Sequence, residues 1–115
     1  MIVDNESKIM AATMDSPEVQ AAAMKVLVGP RQGWEDYVMR MVELGSGGYS
    51  PKHRHPWPHI NYMVQGEGVL EIEGEVNDVR EGSFAYVPAD SEHQFRNTGT
   101  GQFRFICIVP REGHQ

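Results

Sequence analysis

The chain is poor in cysteine, in basic residues and in long apolar runs. Cys107 is its single cysteine, so no internal disulfide can form, which agrees with a reducing compartment. The longest apolar runs are five residues, as from Phe105 to Val109, far short of the roughly 20 that a membrane-spanning helix needs. Lys and Arg number 10 against 16 Asp and Glu, a net charge of -6. The arginines are scattered among acids, so no basic stripe supplies the electrostatic part of nucleic-acid binding. The opening Met-Ile-Val-Asp-Asn-Glu puts acids where a secretory leader carries lysines. We therefore expect a cytoplasmic protein with neither a membrane nor a nucleic acid as partner.

Helical periodicity is also absent, and what replaces it is strand. With 115 residues, of which 40% are hydrophobic and 9% aromatic, the chain matches one domain able to bury its own core without a metal or disulfide. Lys25 to Val28 is short and β-rich, ended by Gly29-Pro30. From Asp36 to Leu44 the chain alternates, with Val38, Arg40, Val42 and Leu44 on one face and Tyr37, Met39, Met41 and Glu43 on the other. Gly45 to Gly48 reads as a flexible turn, Val69 to Val79 as a hairpin turning near Gly74, Ser83 to Val87 as a strand, and Phe103 to Val109 as the closing strand. Many short strands between Gly and Pro turns predict an all-β sandwich or barrel. Residues 1–23 lack a clear period and are expected to be an N-terminal arm or edge strand, leaving residues 24–115 as the barrel.

Two blocks carry the chemistry: Gly48-x4-His53-x-His55-x3-His59-x6-Gly66 and Gly82-x5-Pro88-x-Asp90-x2-His93-x3-Asn97. They contain every histidine except His114, which sits in the tail. Imidazole is the commonest protein ligand for transition metals. His53 and His55, two residues apart, share a face on a strand but diverge on a helix. Pro56 and Pro58 force a turn before His59, and Ile60 to Val64 reads as a further strand. A corner presenting three imidazoles, met by His93 from a distant strand, fits one metal ion.

These blocks resemble the two motifs of the cupin family, usually Gly-x5-His-x-His-x3,4-Glu-x6-Gly and Gly-x5-Pro-x-Gly-x2-His-x3-Asn. Gly47 gives the family's spacing to His53, Asp90 stands at a turn glycine, which Asp tolerates, and His59 stands where most cupins place a glutamate ligand. The resemblance implies a single double-stranded β-helix, the jelly-roll cupin barrel, and homodimers that cover exposed sheet edges. With His59, it is similar to an all-histidine subset of small cupins, some of which carry manganese. The expected cofactor is one divalent transition metal per chain held by His53, His55, His59 and His93. The resemblance favours Mn, the intrinsic affinity of nitrogen ligands favours Cu, Ni or Zn, and Fe stays open.

Four neutral ligands leave two positions of an octahedron for water, oxygen or substrate, which suits a dioxygenase-type oxidoreductase acting on a small organic substrate. An isomerase or lyase is the alternative and needs a proton acceptor, for which Tyr62, Tyr86 and Glu92 are candidates. A non-catalytic small-molecule binding module is the third reading. Possible pocket residues are Arg40, Trp57, Phe95 and Phe105. If the Arg40 face lines the barrel, its guanidinium needs an anion such as a substrate carboxylate; if that face is outside, a surface acid suffices. Phe95 and Phe105 fit either a pocket wall or ordinary core packing, and Trp57 fits a cap on the site mouth or a dimer anchor. Cys107 has no activating neighbour in sequence. Asn97 reads as structural, and the acids from Glu67 to Glu81 read as a solvated face rather than a paired-carboxylate hydrolytic site.

Overall fold

In a computed structural model, which describes residues 1–114, the alternating run becomes the long strand β3 (Tyr37–Tyr49). Val38, Val42 and Leu44 are buried on its inner face. Before it lie β1 (Ala12–Thr13) and β2 (Gln20–Val28), and after it β4 (His59–Gln65), β5 (Glu67–Ile72), β6 (Glu75–Arg80), β7 (Phe84–Val87), β8 (His93–Asn97) and β9 (Phe103–Pro110). All pairings are antiparallel, in the order β6-β5-β8-β3-β9-β4-β7, with β2 added on β3 and β1 on β2. The result is an all-β, nearly closed jelly-roll barrel. Helical structure among the described residues is limited to three single 3-10 turns, and none of it is long and apolar enough to cross a membrane.

The core is centred on the inward faces of β3, β4, β8 and β9, with Ala22 of β2, Leu70 of β5, Val79 of β6 and Val87 of β7 packed into it. Phe103, Phe105, Cys107 and Val109 alternate inward along β9 and are buried. The rings of Phe95 and Phe105 stack at 4.1 Å between centroids, and Phe103 joins them at 5.3 Å from Phe105. Asn97 ties the far end together. Its amide donates to the carbonyls of Leu44, Gly45 and Gly101, and its side-chain oxygen accepts from the Gly99 N–H, the structural role read for it.

Two local readings are corrected. Gly45 to Gly48 is not a turn but the end of β3. The glycines serve a close crossing, because a Cβ on Gly48 would lie 2.8 Å from the Gln20 carbonyl oxygen. A bulge between Gln20 and Ala22 falls beside them. The second correction concerns β2, which starts at Gln20, five residues before the run read from sequence, so residue 23 lies within a strand. Its Ala-rich start has weak strand propensity and is held by pairing with β3, with Ala22 buried in the core.

Candidate metal centre

The two motifs are brought together by backbone pairing. His53 and His93 exchange N–H···O bonds of 3.2 and 3.0 Å as an isolated bridge, and the Asp90 N–H donates to the His55 carbonyl at 2.8 Å. Asp90 takes this turn at φ 64°, a left-handed conformation that a short polar side chain tolerates. His59 opens β4 and His93 opens β8, both side chains buried. His55 is half-buried and His53 is exposed at the rim. One ring nitrogen from each of His53, His55 and His93 lies within 4.8 Å of the other two. The His59 ring joins this group, 4.7 Å from that of His93 and 5.5 Å from that of His55.

Hydrogen bonds orient three of the rings. Nδ1 of His55 lies 2.9 Å from the Trp57 carbonyl oxygen, and Nδ1 of His93 lies 2.9 Å from that of Ser91. A carbonyl only accepts, so in both rings Nδ1 carries the proton and Nε2 presents a lone pair. Nδ1 of His59 lies 2.6 Å from Asn61 Oδ1, and the Asn61 amide donates to the Ile106 carbonyl at 3.3 Å. Asn61 is completely buried. His59 therefore also presents Nε2, which stands 3.0 Å from Nε2 of His93. Two lone pairs that close are unfavourable unless a cation satisfies both. Nitrogens about 2.1 Å from an ion and at right angles around it would be about 3.0 Å apart, so the donor set fits a metal.

Electrostatics keep the rings in their metal-binding form. Burial, and then the neighbouring imidazoles, lower the pKa of His93 to about 4 against the partial counter-effect of the Ser91 carbonyl. His53 is likewise lowered to about 4, by desolvation first and then by the charges of His93, His55 and His59. Burial is also the main cause of the lowering at His55 and at His59, where Arg40 adds a smaller push. Neutral imidazole is the species that binds a metal.

The cluster forms one wall of a cavity of about 380 Å³, whose lining among the described residues contains no Asp or Glu. Arg40, Trp57, Phe95 and Phe105 all line it. Tyr62 and Tyr86 are 48% and 62% exposed and point outward, away from it, and Glu92 is not in its wall. None of these three candidates, which strand parity alone could not place, lines the cavity: on β4 the inward set is His59, Asn61 and Met63, which sends Tyr62 outside. Sequence reading missed Met14 and Met24 in the wall and His114 beside it, with Nδ1 3.5 Å from Arg40 Nη1, while Cys107 lines it on the same face of β9 as Phe105. Cys107 does have a cationic neighbour, since Arg40 Nη2 donates to its sulfur at 3.1 Å. The tail closes one side, with Gly113 packed on the Trp57 indole and Trp57 stacked on His55 at 4.8 Å.

A family model described as Cupin domain matches residues 40–109. Among curated proteins, the chain is 26% identical over 91 residues to dimethylsulfoniopropionate lyase DddW of Ruegeria pomeroyi, covering 79% of this chain and 60% of that one. It is 31% identical over 74 residues to 1-methylthio-D-xylulose 5-phosphate methylsulfurylase of Rhodospirillum rubrum, covering 64% and 47%. The match thus spans about half of the length of each of these relatives. Among solved structures, the polyketide cyclase RemF from Streptomyces resistomycificus superposes with a TM-score of 0.89 at 22% identity, covering 96% of this chain and 79% of that one, a likeness of fold.

Proposed function

From the premise that this chain belongs to the cupin family, we propose that it is a metal-dependent lyase or isomerase of a small organic molecule, with His53, His55, His59 and His93 as the ligand set. The observation that carries this is the pair of Nε2 atoms of His59 and His93 facing each other 3.0 Å apart in the wall of a cavity that, among the described residues, has no Asp or Glu in its lining. A divalent ion bound there acts as a Lewis acid on a substrate oxygen. The protein's own part is to fix the rings through Asn61 and the Trp57 and Ser91 carbonyls, and to keep water from the substrate with Phe95, Phe105 and Met24. His114, next to Arg40, is the group outside the ligand set placed to take up a proton.

Both curated relatives are named for compounds that carry a methylated sulfur, and one is named a lyase, which supports a substrate of that kind here and non-oxidative chemistry. A wall with Met14, Met24, Phe95 and Phe105 suits a soft, polarisable sulfur. Dioxygenase-type oxidation is the second reading, favoured by the all-imidazole donor set, which would hold a redox-active ion without a carboxylate ligand. Elemental analysis of protein purified without added metal, followed by incubation with dimethylsulfoniopropionate under nitrogen and under air, separates the two. Bound metal and equal consumption in both atmospheres, lost in His93→Ala, is the expected result. Consumption confined to air selects the second reading. Protein that takes up no transition metal overturns both.

A further inference from the structure

Among the described residues Arg40 is the one Lys or Arg in the cavity wall, and its surroundings are those of a binding group. It sits on the inner face of β3 between Val38 and Val42 and opposite Cys107 of β9, with Val42 opposite Phe105. Its Nη2 and Nη1 contact Cys107 Sγ and His114 Nδ1 at 3.1 and 3.5 Å, while its Nε is buried without a partner. Among residues 1–114, its partners are a sulfur and an imidazole nitrogen, and no carboxylate forms an ion pair with it. A guanidinium carries a fixed charge and a planar fork of donors that matches a carboxylate, and burying it unpaired is costly. Structural arginines in this chain are treated differently: Arg104 is gripped by Glu6 and Glu43, and Arg96 by Glu71.

We propose that the cavity selects small organic carboxylates, with the carboxylate on Arg40 and the apolar body against Phe105, Met24 and Val42, so that the far end meets the histidine cluster. This deepens the function proposed above and rests on it only for which end reacts. The test is calorimetric titration of 3-(methylthio)propanoate and its primary amide into metal-loaded and metal-depleted protein. Tighter binding of the carboxylate by at least about 10-fold is expected in both forms, from the worth of a charge-assisted bidentate contact. Arg40→Met, an apolar side chain of similar reach, equalises the two ligands while metal content is unchanged, and Arg40→Lys restores part of the preference. Equal affinity of wild type for acid and amide, a preference that survives Arg40→Met in a folded variant, or no binding of the acid up to about 10 mM overturns the proposal. Failure of the metal reading shows separately, as absent metal with the acid preference intact.

Discussion

Nε2 of His59 and Nε2 of His93 stand 3.0 Å apart, while the opposite nitrogen of each ring is held by Asn61 Oδ1 and by the Ser91 carbonyl. His53, His55 and His93 form a grouping whose ligand atoms lie within 4.8 Å of one another, and the His59–His93 approach is what a fourth ligand would add to it. If His59 is a ligand, His59→Ala weakens metal binding by more than the roughly 10–100-fold typical of an outer-sphere partner. The check is competition against a chelator of known affinity. Unchanged affinity in that variant leaves the three-histidine group as the whole site.

Asn61 has no sequence signature as a site residue, yet it is fully buried and holds His59 by a 2.6 Å bond. Asn61→Leu removes that acceptor, frees the ring to change tautomer, and is expected to lower metal affinity about 10–100-fold. Asn61→Asp keeps an acceptor at the same place and is expected to retain most of the affinity. A variant merely damaged in folding does not show this rescue.

The legible part of the centre was the part encoded at short range. Two-residue spacing at His53 and His55, the prolines that turn the chain before His59, and the inward alternation of Val38, Arg40, Val42 and Leu44 all follow from strand geometry. What closes the cavity was not legible. Met14 arrives on an N-terminal arm anchored by the Met14 N–H on the Ala22 carbonyl, and His114 on a tail whose Arg111 N–H bonds the Asp36 carbonyl. Such contacts depend on where the barrel ends happen to meet, which no local period records. Gly45 to Gly48 failed for the opposite reason: their composition is that of a turn, and only the crossing of Gln20 over Gly48 shows why strand β3 needs them.

Acid is expected to destabilise the metal-free protein within a defined window. The pKa of His93 is lowered from 6.5 to about 4 in the folded state. Between those values the unfolded chain binds a proton that the folded chain refuses, so stability rises with pH through the window. It is fully present above pH 6.5 and lost as pH falls toward 4. For this buried ring the loss is up to about 3 kcal/mol. Urea midpoints of the metal-free protein at intervals from pH 7 to about 4 measure it, and His93→Gln makes the profile shallower, the remainder coming from the other lowered histidines. A profile as steep in that variant as in wild type assigns the acid sensitivity to other groups.

Gly113 controls how the tail meets the cavity mouth. A Cβ there would fall 2.5 Å from Trp57 Nε1 and 2.9 Å from two further indole atoms, closer than packed atoms come. The indole cannot yield cheaply, because it stacks on His55 at 4.8 Å with only 11° between the planes. Gly113→Ala is therefore expected to lift the tail from Trp57 and carry His114 away from Arg40. The cost in stability is about 1 kcal/mol, that of an ordinary steric change at a surface contact. Metal stoichiometry should stay the same, because the His55 ring is oriented by the Trp57 main-chain carbonyl and not by the indole. In a Trp34→Phe background, which leaves Trp57 as the single tryptophan, the emission maximum should move to longer wavelength and quenching by acrylamide should increase. An emission spectrum and quenching constant identical to those of the parent would place the tail contact outside the control of the cavity mouth.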